Sequence, residues 1–126
     1  MAKNPKVLVV DDDLSVLESF NMILGIKDYE VKTAKNMDEA VAAVKAEHFD
    51  IAFIDLRFYG REEGLTILAE LKKIDPAIAC VICTAYASEK SKIEAVQLGA
   101  LDYISKPFMM EIIYDLVERA IAKQKK

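Results

Sequence analysis

The segment IAFID at residues 51–55 decides the fold, because four apolar residues there lead directly into a carboxylate. A short apolar run of this kind is typical of a strand buried on both faces, with Asp55 at its carboxyl end. Four further segments are predicted to be strands, at residues 6–10, 30–34, 79–84 and 101–105. Helical spacing of apolar residues predicts helices at 14–27 and 38–46, between Gly64 and the break at Asp75 and Pro76, at 88–98, and from 110 onward.

This alternation of five strands with five helices predicts a single α/β domain. Parallel strands need crossover connections, and here each crossover is a helix. We therefore expect one doubly wound, five-stranded parallel sheet with helices on both faces. The domain is expected to occupy residues 1–126, with its core at about 6–122. Residues 123–126 are expected to be a tail or the start of a linker.

The composition limits the possible functions. The chain has 126 residues, of which 53% are hydrophobic, and a net charge of −4 with acidic and basic residues mixed throughout. These values predict a sizeable core and argue against direct nucleic-acid binding. The sequence contains neither an apolar run of membrane length nor a secretory leader. We therefore expect a soluble cytoplasmic protein without a membrane partner.

The cysteines and the histidine invite a metal or redox interpretation, which we consider the weaker one. Cys80 and Cys83 lie three apart on a predicted strand and so should point to opposite faces. We predict that both are buried structural thiols, which suits a reducing compartment. His48 has no cysteine or second histidine near it in the sequence, and we predict an exposed residue at a helix end.

Polar side chains follow four of the predicted strands. In an open parallel sheet, ligands bind beyond the carboxyl ends of the strands. There the sequence places three carboxylates, a hydroxyl and an ammonium, namely Asp11, Asp12, Asp55, Thr84 and Lys106. Close carboxylates repel one another unless a hard cation lies among them, and Mg²⁺ prefers oxygen ligands. A carboxylate such as Asp55 could then attack a phosphoryl group and form an acyl phosphate.

Four motifs in register, VLVVDDD, FIDL, TA and KPF, make the chain from residue 6 to 122 resemble the receiver domain of two-component response regulators. The resemblance implies a sheet of order 2-1-3-4-5. It implies that Asp11 and Asp12 bind Mg²⁺ together with Asp55 and the Arg57 carbonyl. It also implies that Asp55 accepts a phosphoryl group from a phosphohistidine of a sensor kinase or phosphotransfer protein, and that Thr84 and Lys106 contact this group.

The resemblance further implies a conformational switch. In the family, the residue that matches Thr84 moves toward the phosphoryl group and the aromatic residue that matches Tyr103 turns inward. Helix 88–98, strand 101–105 and the last helix would form the output face, read by an output domain or effector protein in transcription regulation. Homodimerisation through this face is a further expectation. The domain would catalyse only its own phosphorylation and dephosphorylation, and would not otherwise be an enzyme.

The loop after Asp55 departs from the family pattern. The family usually has a proline at the position of Tyr59, and its glycine comes one residue before Gly64. The loop is therefore one residue longer than usual. Arg57 and Tyr86 occupy positions that flank the path of the hydrolytic water in the family, and both are bulky. We therefore predict slow self-dephosphorylation. The peptide bond before Pro107 is expected to be cis, as in the family.

Three alternatives remain open on the sequence alone. A phosphatase similar to the haloacid dehalogenases would use Asp11 as nucleophile with Asp13, but the chain is short for a cap domain and no second acidic pair follows. A flavodoxin-type nucleotide binder would need a glycine- and hydroxyl-rich loop where three aspartates stand. A receiver-like interaction module without phosphate chemistry is the third. Asp13 is better explained as a helix cap.

Overall fold

The computed structural model describes residues 4–124 as an alternating α/β chain. In order, the elements are β1 Lys6–Val10, α1 Leu14–Gly25, β2 Glu30–Ala34, α2 Met37–Ala46, β3 Ile51–Asp55, α3 Glu63–Ile74, β4 Ala79–Thr84, α4 Glu89–Gln97, β5 Asp102–Ser105 and α5 Met110–Gln124. Each predicted element is present, with ends shifted by at most a few residues. The expected polar lead-in and the tail lie partly outside the described residues.

The five strands form one parallel sheet in the order β2-β1-β3-β4-β5, as expected. The register aligns the carboxyl ends of the central strands, because Val10 pairs with Ile54 and Asp55 with Cys83. At the edge, Thr84 pairs with Ser105. The residues that end β1, β3, β4 and β5 therefore lie along one rim of the sheet.

Strict alternation along the strands divides the core between the two faces of the sheet. In β1, Leu8 and Val10 point toward α2, α3 and α4, whereas Val7 and Val9 point toward α1 and α5. The central strands are buried on both sides, which is why they read as continuous apolar runs. Cys80 and Cys83 follow the same alternation, and both are free and buried on opposite faces, as predicted.

Side chains cap the first two helices. The Asp13 carboxylate accepts a hydrogen bond from the Ser15 backbone N–H at 2.9 Å and so begins α1. Asn36 does the same for α2 through the Glu39 N–H at 2.9 Å. Such caps satisfy backbone donors that have no partner within the helix. Asp13 therefore has a structural role, as the sequence favoured.

The packing of α4 differs from the expectation. The sequence SEKSKIEAVQL at residues 88–98 favours Ile93 and Val96 as the residues that anchor this helix, but they are 53% and 59% exposed. The buried residues of α4 are instead the small Ser91 and Ala95. A helix that packs through small side chains can lie close to the sheet, and its larger apolar residues then fall on the outer surface. The described residues of α4 thus anchor the helix only weakly, and through side chains other than Ile93 and Val96.

Three further observations complete the description of the fold. His48 is exposed, and its Nδ1 lies 3.0 Å from the Asp75 carboxylate, so it joins two loops at the amino edge of the sheet. Within residues 4–124, no helix is both long and apolar enough to cross a bilayer. The peptide bond between Lys106 and Pro107 is cis, as expected.

Candidate functional site

Three carboxylates gather at the carboxyl rim of the sheet. One oxygen from each of Asp11, Asp12 and Asp55 lies within 4.8 Å of the others, and among residues 4–124 this is the only acidic, histidine or cysteine cluster of such closeness. Asp11 and Asp12 directly follow β1, and Asp55 ends the neighbouring β3. The cluster is therefore a direct consequence of strand register.

Lys106 supplies the positive charge of the cluster. Its Nζ lies 2.9 Å from Asp11 Oδ2 and 3.3 Å from Asp55 Oδ1, so one ammonium bridges two carboxylates. The side chains of Asp11 and Asp55 are only 4% and 12% exposed, which limits screening of this contact by water. One ammonium among three carboxylates still leaves the rim with an excess of negative charge.

The pKa values of the cluster reflect this imbalance. Burial, together with the charge of Asp11, raises the pKa of Asp55 from 3.8 to about 6, although Lys106 opposes the shift. Burial also raises the pKa of Asp11. Burial of Lys106 favours its neutral form, but hydrogen bonding and charge attraction to Asp11 and Asp55 outweigh this effect and raise its pKa. Both carboxylates are thus held in a site that disfavours their charge.

Thr84 completes the rim at the end of β4. Its side chain is buried, and its Oγ1 accepts a hydrogen bond from the Tyr86 backbone N–H at 3.0 Å. Directly after the adjacent β5 strand, the Lys106 backbone N–H donates to the Thr84 carbonyl at 2.8 Å, which fixes the ends of the two strands relative to each other. The structure thus brings all five predicted rim residues to the same edge of the sheet.

The longer loop after Asp55 is absorbed by a tight turn. Phe58 and Arg61 exchange both backbone hydrogen bonds around Tyr59 and Gly60, at 2.8 and 3.0 Å. Both central residues have positive φ, at 52° and 79°, as in the two-residue turns that join antiparallel strands. The Tyr59 N–H donates to Asp12 Oδ2 at 3.3 Å. A proline at this position could not make that bond.

Gly64 lets the end of this loop close against β3. A Cβ atom at position 64 would lie 2.1 Å from the Asp55 carbonyl oxygen and 2.7 Å from Leu56 Cα. The Gly64 N–H also donates to the Leu56 carbonyl at 2.9 Å. The loop therefore returns to the backbone beside Asp55 despite its extra residue, and the glycine is required by close approach.

Arg57 and Tyr86 meet beyond the ends of β3 and β4. The Arg57 guanidinium carbon lies 5.2 Å from the centre of the Tyr86 ring, and Nη2 lies 3.7 Å from the Glu62 carboxylate. Among the described residues, one buried side-chain polar atom, Arg57 Nε, lacks a hydrogen-bond partner. The two bulky side chains thus touch each other across the loops that follow β3 and β4.

Tyr103 contacts α4 rather than the carboxylate rim. Its ring packs against the core on the side of α2, α3 and α4, and its hydroxyl lies 2.5 Å from Ser91 Oγ. The Ser88 N–H donates to the same hydroxyl at 3.2 Å. Neither serine was predicted to have a role. A serine cap before α4 can be read from sequence, but its bond to a residue of β5 depends on tertiary packing.

The donor set suits a hard divalent cation. The clustered ligands are carboxylate oxygens, which Mg²⁺ and Ca²⁺ prefer, and a cation would offset the charge repulsion that raises the Asp55 pKa. Asp13 is not among the clustered carboxylates, because its side chain caps α1. This placement disfavours the phosphatase alternative, which pairs Asp11 with Asp13.

Comparison with known proteins decides the family. The sequence profile described as the response regulator receiver domain matches residues 7–118. This chain is a response regulator receiver domain. Receiver domains of longer transcriptional regulators are similar to it: AlgB of Pseudomonas aeruginosa is 36% identical over 83% of this chain, and ZraR of Escherichia coli K12 is 35% identical over 94%. The chain spans only 23% and 27% of the length of these two proteins.

Solved receiver structures share the whole fold. A CheY-like receiver domain protein from Methanospirillum hungatei has a TM-score of 0.90 at 28% identity, with 98% of each chain covered. A response regulator from Burkholderia pseudomallei, solved with a phosphorylated aspartic acid, a calcium ion and citrate, has a TM-score of 0.83 at 29% identity, covering 96% of this chain and 73% of its own. A receiver relative can therefore carry both the phosphoryl group and a divalent cation.

Proposed function

We propose that this receiver domain accepts a phosphoryl group on Asp55 from the phosphohistidine of a sensor kinase or phosphotransfer protein. One observation carries the proposal: Lys106 bridges Asp11 and Asp55 beside Asp12 at the carboxyl rim of the sheet. This arrangement offers a nucleophilic carboxylate, a fixed ammonium and a set of oxygen ligands within one small volume. Thr84 lies on the same rim and offers a hydroxyl to a phosphoryl oxygen.

The proposed reaction needs little from the protein beyond positioning and charge. An Asp55 carboxylate oxygen forms a bond to phosphorus while the bond from phosphorus to the donor imidazole breaks, and the imidazole takes up a proton. The Lys106 ammonium attracts the negatively charged oxygens of the transferred phosphoryl group, and the Thr84 hydroxyl donates a hydrogen bond to one of them. Asp11, Asp12, Asp55 and the Arg57 carbonyl would hold Mg²⁺, which supplies further positive charge to the phosphoryl oxygens when bound.

The signal would leave the domain through α4, β5 and α5. We infer that Thr84 and Tyr103 form the switch, because Tyr103 contacts α4 directly and Thr84 lies between the acceptor and that helix in the chain. A new charge on Asp55 would shift the equilibrium between two arrangements of this weakly anchored region. The binding partner of this face would be the output domain or effector of a cytoplasmic transcription regulator. A second output would be homodimerisation through the same face.

The test of the proposal is the intact mass of the protein after incubation with acetyl phosphate and Mg²⁺. We expect one added phosphoryl group in the wild-type protein, none without Mg²⁺, and none in the Asp55→Asn variant, because the amide is not a nucleophile for this reaction. The matched control is Asp13→Asn, since asparagine is an equally good helix cap and Asp13 lies outside the cluster. This variant should be phosphorylated like the wild type.

Other outcomes of the same experiment point to the alternatives. Magnesium binding without any adduct would favour the interaction module that does not use phosphate. An adduct that persists in Asp55→Asn would contradict Asp55 as acceptor and reopen Asp11. Turnover of a phosphate monoester would instead support the phosphatase.

Self-dephosphorylation is expected to be slow because Arg57 and Tyr86 obstruct the approach of water. The Arg57 guanidinium carbon lies 5.2 Å from the centre of the Tyr86 ring, and the two residues follow Asp55 and Thr84 by two positions. We expect Arg57→Ala and Tyr86→Ala each to shorten the lifetime of the acyl phosphate by about tenfold, which corresponds to about 1.4 kcal/mol in the barrier. The measurement is the decay of the phosphorylated mass after removal of the donor.

The control for the lifetime experiment is Arg119→Ala. Arg119 is also partly exposed and ion-paired, with Asp102 at 3.2 Å, but it lies on α5. Its removal should leave the lifetime unchanged. A wild-type lifetime no longer than that of both alanine variants would contradict the obstruction of water by these side chains.

A further inference from the structure

We propose that Ser91 is a positioning residue that holds the Tyr103 ring beneath α4 before any phosphoryl group is present. Only the interpretation of this contact as part of a switch depends on the proposed function. The contact itself places the aromatic residue of β5 in a partly buried position against α4.

Ser91 is a buried polar residue whose hydroxyl has three partners. Its side chain is 1% exposed, in the first turn of α4. The hydroxyl oxygen lies 2.5 Å from the Tyr103 hydroxyl, 2.8 Å from Ser88 Oγ and 3.3 Å from the Ser88 carbonyl. A buried hydroxyl that loses its partners is costly, so this group resists separation from Tyr103.

The same contact includes the cap of α4. Ser88 is the residue at the N-terminus of the helix, and its side chain accepts a hydrogen bond from the Ser91 N–H at 3.1 Å. The backbone N–H of Ser88 donates to the Tyr103 hydroxyl at 3.2 Å. The phenol is therefore bonded both to the side chain of the first turn and to the backbone of the cap. Movement of the Tyr103 ring and movement of the helix end are coupled.

The rest of α4 adds little to hold the helix in place. Among its described residues only Ser91 and Ala95 are buried, while Ile93 and Val96 face outward. A methyl group and one hydroxyl network thus provide much of the attachment between α4 and β5. We infer that the Ser91 hydroxyl sets the balance between the partly buried and the exposed positions of Tyr103, and with it the ease of moving α4.

The test is site-resolved nitration of tyrosine with tetranitromethane, carried out without a phosphoryl donor. The mass of each tyrosine-containing peptide gives a separate rate for each ring. We expect Ser91→Ala to raise the nitration rate of Tyr103 about fivefold to tenfold, which corresponds to the loss of roughly one hydrogen bond. The control is Ser19→Ala, an exposed serine that bonds the Ser15 carbonyl in α1, and it should leave the rate unchanged.

Two other tyrosines separate a local release from general unfolding. Tyr59 is 79% exposed and should react equally fast in every variant. Tyr114 is partly buried on the opposite side of the sheet, and its hydroxyl donates to the Ile23 carbonyl. A rise confined to Tyr103 supports the proposal. An unchanged Tyr103 rate, or an equal rise at Tyr114, overturns it. Because no donor is present, a failure of Asp55 phosphorylation leaves this result unaffected.

Discussion

Gly64→Ala should destabilise the domain by about 3 kcal/mol, near the upper end of the range for overpacked sites. The new Cβ atom would lie 2.1 Å from the Asp55 carbonyl oxygen and 2.9 Å from that of Leu56. Both are backbone atoms of the segment that carries Asp55, so neither can rotate away. The first turn of α3 must move instead. Urea unfolding should show the loss directly, and the melting temperature should fall by about 10 °C.

Gly25→Ala is the matched control for this prediction. Gly25 also lies in a helix, at the end of α1, but nothing lies within 4 Å of the position that its Cβ would occupy. Alanine there should raise the free energy of unfolding by about 0.5 kcal/mol, because it restricts the unfolded chain more than glycine does. If both substitutions were neutral or stabilising, the close approach of the loop to β3 would be contradicted.

The positions of the strands and of the rim residues were predictable because both follow from local sequence. An apolar run fixes a buried strand, and parallel pairing then brings the residue after each strand to the same edge. This is why Asp11, Asp55 and Lys106 could be placed together from sequence. The same reasoning placed Cys80 and Cys83 on opposite faces, because alternation along a strand is a property of the backbone.

The contacts that sequence did not reveal depend on how separate segments pack. The bond from the Tyr59 N–H to Asp12 needs a left-handed tyrosine in a tight turn, and nothing in LRFYGREEG specifies that conformation beyond Gly60. Ser91 lies in a polar stretch and would be assigned to the exposed face of a helix. Its burial follows from the close approach of α4 to β5, so the larger Ile93 was chosen as an anchor in error.

Asp55→Asn should stabilise the metal-free domain at neutral pH by about 1–2 kcal/mol. The pKa of Asp55 is raised to about 6 in the folded state, first by burial and then by the charge of Asp11. In the unfolded chain it returns to about 3.9. Two pKa units correspond to about 3 kcal/mol at most. We expect less, because the ammonium of Lys106 loses a charged partner in the variant.

The pH dependence of this gain has a definite direction. A carboxyl group with a raised folded pKa binds more protons in the folded state, so the wild-type protein loses stability as the pH rises from about 4 to about 6. Asparagine does not titrate. The difference in unfolding free energy between variant and wild type should therefore be small at pH 4, grow through this window, and be constant above about pH 7. Urea unfolding in the presence of a chelator measures it at each pH.

Magnesium should stabilise the wild-type protein more than Asp55→Asn, which ties the measurement to the site. A cation bound only by the folded state stabilises it by mass action, and removal of one carboxylate ligand weakens that binding. At millimolar Mg²⁺ the wild-type protein should therefore gain more than Asp55→Asn. The control is Asp115→Asn on α5, an exposed carboxylate 4.0 Å from Arg119, which should change stability by less than about 0.5 kcal/mol under every condition.

A wild-type protein that is already more stable than Asp55→Asn without metal at pH 7 would show that Lys106 fully compensates the carboxylate cluster. The rim would then need no cation for its stability, because the repulsion that a cation is expected to relieve would be absent.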